Sequence, residues 1–250
     1  MVELLVAMGV MSTCMAAMLT LVTTGQAIAR AQPEAADQQQ RARTARQAIG
    51  DALARAGAGL DSGPLAGPLD ARFVPVARSA EGGLTTWSVR SASAQGTLAQ
   101  PFGSIATYAE VQASPACPPG EEACAFAAGA NAIVLDQTGC HAVIRIDDVV
   151  GSALVARPDV RLCAFAAGAA IAEGEVRTFL VNTAARQLVR RDEATQLTLP
   201  IVDNVASMQV DVRSGGQQVR VTLRFTSLLV QVPEFILVID GSPANLRQAR

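Results

Sequence analysis

Few residues in this chain have the types and spacing that chemistry needs. The one histidine, His141, directly follows Cys140. A reactive thiolate–imidazole pair requires the two side chains to meet. Neighbours on an extended strand point to opposite faces, so the pair reads as a structural cysteine beside a surface histidine. Zinc is no better served: no Cys-x-x-Cys spacing occurs, and one histidine does not complete the usual ligand sets. The acidic pairs Glu121-Glu122 and Asp147-Asp148 lack the alternate-residue spacing of a calcium loop and read as solvated charges. No Gly-x-Ser-x-Gly elbow or phosphate-cradling loop is visible. The expectation is a non-enzyme, with no catalytic residue, metal ligand or cofactor assigned. What remains is one acid, Glu3, and an even set of cysteines, Cys117, Cys124, Cys140 and Cys163.

Glu3 stands out because of the stretch that carries it. From Met1 to Ile28 the chain is rich in Leu, Met, Val and Ala, and after Glu3 no charge occurs until Arg30. Such a run is long enough to cross a bilayer as one helix. A cleavable secretory signal has a basic n-region, a shorter apolar core and a small-residue cleavage site, none of which is clear here. An Asp at a helix centre in hydrocarbon costs roughly 2.5–3.5 kcal/mol, less near an end. A carboxylate carried there asks for a partner. Cys14, inside the same run, reads as a small membrane-facing hydrophobe.

The chain after the span is again helical to residue 58. Ala42, Ala45, Ile49, Leu53 and Ala56 fall at three- and four-residue spacing and form one narrow apolar face, with Arg41, Arg43, Arg46, Asp51 and Arg55 on the remainder. Gly25 and Pro33 are expected to bend or locally melt the helix at the membrane exit, and Gly57 and Gly59 to stop it. Leu60–Leu69 is a Gly/Pro linker.

Beyond it the pattern shifts to short alternating runs. Strands are expected over 72–77, 84–90, 105–111, 132–135, 141–146, 177–182, 187–190, 206–212, 218–225 and 235–239. The clearest hairpin is VASMQVDVR-SGG-QQVRVTLRF. Short links imply an antiparallel sheet, so the expected class is α+β, a long N-terminal helix on a β-rich domain. The expected organisation is a membrane helix over 1–28, an amphipathic continuation over 29–58 and a globular domain over 59–250. CAFAAGA occurs twice, at Cys124–Ala130 and Cys163–Ala169. Two copies do not make a solenoid; the match is either coincidence or two equivalent strand entries.

Net charge is −2, so no electrostatic footprint for nucleic acid exists. One Trp and one Tyr give no base-stacking platform. The four cysteines outside the span fit an oxidising compartment. Cys117–Cys124 with Cys140–Cys163 is the favoured pairing, because a Pro-Gly turn separates the first two. Cys124–Cys163, with Cys117–Cys140, stays open as the alternative suggested by the repeat. On the chain-entropy model the favoured loops contribute about 2.5 and 3.5 kcal/mol.

Met1-Val2-Glu3-Leu4-Leu5-Val6-Ala7-Met8 resembles the start of type IV pilins and type II secretion pseudopilins. Scattered later segments are similar to minor pilins of the PilW type: the helix DQQQRARTARQAIGDALARAGAG, the strand pair over 176–182 and 187–191, and IVDNVASMQV. Family members open with a basic leader ending in Gly, then a methylated Phe. The resemblance therefore implies that a leader and the first mature residues precede Met1. It implies that Glu3 neutralises the N-terminal ammonium of a neighbouring subunit during assembly. The implied partners are other pilins or pseudopilins and the inner-membrane assembly machinery. The implied location is the bacterial inner membrane, single-pass, with the domain in the periplasm, and then a pilus or related filament. The alternatives are a J-type pseudopilin of type II secretion and a membrane-tethered periplasmic binding module without a filament role.

Overall fold

The structure, a computed structural model, describes residues 2–58, 74–89, 94–103, 107–113, 117, 123–136, 138, 140–157, 164–213, 216–227 and 232–244. The fold is α+β: one long N-terminal helix and an antiparallel β domain. Helix α1 runs unbroken over Val2–Arg55, 54 residues, about 80 Å at the α-helical rise. It continues through Gly25 and Pro33, so the local melting that was one of the two outcomes expected there is absent. Pro33 has no N–H and leaves the Ala29 carbonyl without its intrahelical donor. The helix ends where expected. Gly57 takes a left-handed conformation (φ 75°), its amide donates to the Trp87 carbonyl at 2.8 Å, and the Ala244 amide caps Ala56 O at 2.7 Å.

Burial switches on along α1 with helical spacing. Gln38, Ala42, Ala45, Ile49, Leu53 and Ala56 are buried, which bears out the apolar face seen in the sequence. They pack into a core shared with β1 (Val76–Arg78), β2 (Leu84–Val89), the outer half of β8 (Ala170–Asn182), β9 (Gln187–Asp192) and β10 (Thr198–Asp203). The same core includes the three-stranded sheet of β11 (Val205–Arg213), β12 (Gln218–Phe225) and β13 (Phe235–Gly241). The expected hairpin is β11–β12, with register from Val205↔Phe225 to Arg213↔Gln218.

The rest of the domain closes on itself. Strands β3 (Gln95–Leu98), β4 (Tyr108–Ala113), β7 (Ala153–Arg157), β6 (His141–Val150), β5 (Asn131–Leu135) and the first half of β8 pair in that order, and β5 returns to β8. The result is a six-stranded barrel filled by Leu98, Val111, Val134, Ile144, Ile146, Leu154 and Ile171, among others. Strand β8 belongs to both halves of the domain. Its residues 170–174 pair with β3 and β5 in the barrel, and 174–182 pair with β2 and β9 outside it. Gly174 stands at the crossing, where a Cβ would lie 2.8 Å from Ile133 Cγ1.

The CAFAAGA copies are two equivalent strand entries. In each, a glycine at φ +83° or +85° turns the chain into β5 or β8, a conformation that favours Gly. Gly129 N donates to Ile146 O and Gly168 N to Leu98 O, both at 2.7 Å. Ala130 N and Ala169 N each donate to the carbonyl three residues back, both at 3.2 Å. Ile133 pairs with Ala172, its own counterpart in the other copy. Across the barrel, Ala109 pairs with Leu154. There Val111 N→Ser152 O and Ala156 N→Thr107 O mirror one another at 2.9 and 2.8 Å. The barrel is thus a pseudo-twofold of β5-β6-β7 with β8-β3-β4. Closure gives two units what a solenoid would need more repeats to achieve, since no strand is left with a bare edge.

Strands β3, β7 and β10, and the first half of β8, were not expected from the sequence. Strand β6 also runs past Asp147-Asp148, through a register shift between Ile146 and Asp148, where the sequence suggested an end.

Candidate membrane anchor and assembly helix

The first half of α1 is long and apolar enough to cross a membrane, and none of its apolar window is buried against the rest of the chain. Its polar groups are arranged for that environment. Ser12 Oγ donates to Met8 O at 2.6 Å, Thr13 Oγ1 to Val10 O at 2.8 Å and Thr20 Oγ1 to Ala16 O at 2.9 Å. Thr23 and Thr24 both donate to Thr20 O, at 3.0 and 2.7 Å. A hydroxyl bonded within its own helix needs no water, which is the condition hydrocarbon imposes. Glu3 lies in the first helical turn, exposed, where an acid complements the positive end of the helix dipole. Uncharged residues run from Leu4 to Ala29, about 39 Å of helix. The proline-freed Ala29 carbonyl falls at the end of that run.

The second half of α1 is fastened to the domain. Arg41 bridges Glu34 at 3.3 Å and Asp37 at 3.6 Å, just after Pro33. Gln38 Nε2 donates to Pro233 O and Arg46 Nη2 to Val238 O, both at 3.4 Å. These two residues tie the helix to β13 and the segment leading into it, a role that sequence reasoning missed. Gln38 could have been found, since it lies on the same helical stripe as Ala42 and Ala45. On the domain surface, Arg191 joins Glu81 at 3.3 Å and Glu193 at 2.9 Å. Burial pushes the Glu193 carboxyl up, but hydrogen bonds from Thr178, Arg191 and Gln196 outweigh it and hold the group below its ordinary value.

The cysteines correct the favoured pairing. Cys140 is disulfide-bonded, and its expected partner Cys163 lies outside the described residues. Cys117 and Cys124 are not joined: both carry thiols, as does Cys14. Cys124 sits at φ 51° in a tight turn and is fully buried in the barrel core, with Cys117 packed against the same cluster. Of the alternative pairings, Cys124–Cys163 fails because Cys124 is a thiol, and Cys117–Cys140 because Cys117 is.

The other singled-out groups do not converge. His141 opens β6 on the exposed side, and its neighbour's sulfur is committed to the disulfide. Asp147 and Asp148 sit exposed at the β6 bulge, and Asp148 Oδ1 accepts from the Val149 amide at 2.9 Å. Glu121 and Glu122 lie outside the described residues. Among the described residues, no group of three or more His, Cys, Asp and Glu is placed to hold a metal ion. No protein-family model matches this chain, and neither the curated proteins nor the solved structures contain a match to it.

Proposed function

We propose that this chain is a pilin-like structural subunit, a minor pilin or pseudopilin. It is held in the inner membrane by the first half of α1 with its β domain in the periplasm. It passes from the membrane into a type IV pilus or a related filament. The observation that carries the reading is the division of α1: the apolar window of its first half is unburied and uncharged after Glu3, and its second half is the spine of a folded domain. In this reading the apolar half exchanges lipid for the helices of other subunits, and Glu3 meets an N-terminal ammonium there. The β domain stays outside and presents its surface.

The test is Glu3→Ala in the full chain. Removing the charge eases insertion, so the variant is expected in the membrane at wild-type level but lost from sheared filaments. Equal amounts of wild type and variant in those filaments would sink the assembly role of Glu3.

A further inference from the structure

Strand β13 turns the backbone groups of three residues away from its own sheet. The Thr226 amide, just past β12, donates to Asn204 O at 2.9 Å, and Asn204 directly precedes β11. Bonding direction alternates along a strand, so even-numbered residues of β12 bond to β11 and odd-numbered ones to β13. Their partners on β13 are Phe235, Leu237, Ile239 and Gly241. The N–H and C=O groups of Ile236, Val238 and Asp240 therefore point outward past the strand. The Ala244 amide, two steps further in the same alternation, points that way too, onto Ala56 O at 2.7 Å. Among the described residues one group reaches the three, the Arg46 guanidinium on Val238 O at 3.4 Å.

Beside this strand runs a groove of about 320 Å³, lined by Gln39, Ala42, Arg43 and Arg46 of α1 and by Phe235 and Leu237. Its charge is one-sided. The acids on and next to β13 are matched across the sheet. Asp240 takes bonds of 2.7 and 3.3 Å from Arg220, and Glu234 lies 3.8 Å from Arg224. Glu34 and Asp37 are taken by Arg41, and among the described residues Arg43 and Arg46 meet no carboxylate. The other side of β13 is apolar where it faces water: Ile236 and Val238 are exposed there, while Leu237 and Ile239 are buried beneath. An extended segment laid along β13 would bond the three outward residues, and its alternate side chains would meet these two different surfaces. We infer that β13 accepts a strand of another polypeptide, one that alternates acidic residues, turned to Arg43 and Arg46, with apolar residues, turned to Ile236 and Val238. The two arginines are about 4.5 Å apart along the helix, and alternate side chains of a strand about 6.7 Å, a mismatch two long side chains take up. Arg46 does the selecting. A neutral strand must displace its guanidinium from Val238 O and gives it nothing in return, whereas an acidic strand exchanges a neutral acceptor for a carboxylate. A second copy of this chain does not supply the match. Among the described residues β1, β10 and β13 pair on one side only, and none carries acids at alternate positions. Nothing in this contact requires a filament.

The experiment titrates the full chain, in detergent, into a fluorescently labelled, end-capped peptide that alternates valine and glutamate, and reads anisotropy and amide exchange. The expected result is saturable binding that weakens as salt rises, with exchange slowed over residues 235–241. The same peptide with lysine in place of glutamate should not bind. The double variant Arg43→Gln, Arg46→Gln should weaken binding of the glutamate peptide about tenfold. Val238→Pro removes an outward N–H and no bond to β12, and should abolish binding. If that variant fails to fold, the arginine pair and the exchange pattern decide. No binding of the glutamate peptide at millimolar concentration overturns the inference, as does equal binding of the lysine peptide or indifference to the arginine pair. Binding without protection of 235–241, or binding that a folded Val238→Pro chain retains, places the peptide elsewhere and overturns strand addition at β13.

Discussion

At the scale of single residues, the acid that matters for stability is a different one from Glu3. Glu193 accepts from Thr178, Arg191 and Gln196, and its carboxyl stays below the ordinary value against the opposing pull of burial. A carboxyl lowered in the folded state adds stability that is present above its unfolded pKa and lost as pH falls through the folded one. Thr178 is buried, with its hydroxyl 3.1 Å from that of Thr85. Thr178→Val removes one donor while keeping the shape. At neutral pH the variant should be destabilised by about 1 kcal/mol, the value of a bond to a charged group reduced for partial exposure. The gap should narrow as pH falls below the ordinary carboxylate range, leaving the pH-independent part due to the lost Thr85 contact. Urea unfolding of both proteins at the two pH values measures it, and a gap independent of pH would show that Glu193 is not the group being stabilised. The network was not visible in the sequence, because strand pairing brings Thr178 and Thr85 to it and nothing in the local spacing of Arg191, Glu193 and Gln196 marks a hydrogen-bonded cluster. The same holds for Cys124. The segment 118–122 before it, where a turn was expected, lies outside the described residues, and the left-handed backbone that turns its thiol into the barrel core was not legible.

At the scale of elements, the extent of helix α1 was legible, though not its continuity through Gly25 and Pro33, and the strands only where side chains alternate. The helix needed only local information: an uncharged run, then Ala42, Ala45, Ile49, Leu53 and Ala56 at helical spacing. Strand β12 alternates through its whole length, and its bounds were read correctly. The missed strands break that rule for physical reasons. Strand β3 is four residues with Gly96 in the middle, and β10 carries Pro200, tolerable because β10 pairs, among the described residues, on one side only. The first half of β8 is buried on both faces and reads AIAEG, without β-branched alternation. The CAFAAGA repeat was legible as a pattern but not as a barrel, since closure depends on β5 meeting β8. The packing of α1 on the domain gives the element-scale test. Ile49 is fully buried at the centre of the shared core, so Ile49→Ala should cost about 2–5 kcal/mol. The exposed Gln47, two residues away on the opposite face, should tolerate Ala within roughly 0.5 kcal/mol. Chemical denaturation of the two variants checks the difference. A tolerated Ile49→Ala would mean that the helix is not the spine of the domain.

At the scale of the whole molecule, two surfaces compete to decide how the chain behaves without its anchor. The first half of α1 is the larger apolar liability, so a chain beginning at Glu34 should need no detergent. The second liability is β13, paired among the described residues only to β12, where Phe235, Ile236 and Val238 are all exposed. Such an edge invites another strand. Two copies joined antiparallel along β13 would be related by a twofold axis normal to the sheet. That operation reverses the direction of α1, so two anchored chains in one membrane cannot make the contact. Removing the anchor lifts this restriction. Against it stand the Arg46 guanidinium on the Val238 carbonyl and the small size of the contact. A seven-residue edge falls short of the roughly 1,000 Å² that a stable interface buries. The weak contact should lose, and the shortened chain should run as a monomer at micromolar concentration. Sedimentation velocity on the chain from Glu34, with and without Val238→Lys, checks both halves of the argument. A dimer that Val238→Lys abolishes would show that β13 outweighs its guard. A dimer or aggregate that the substitution leaves intact would show that another surface of the β domain requires a partner.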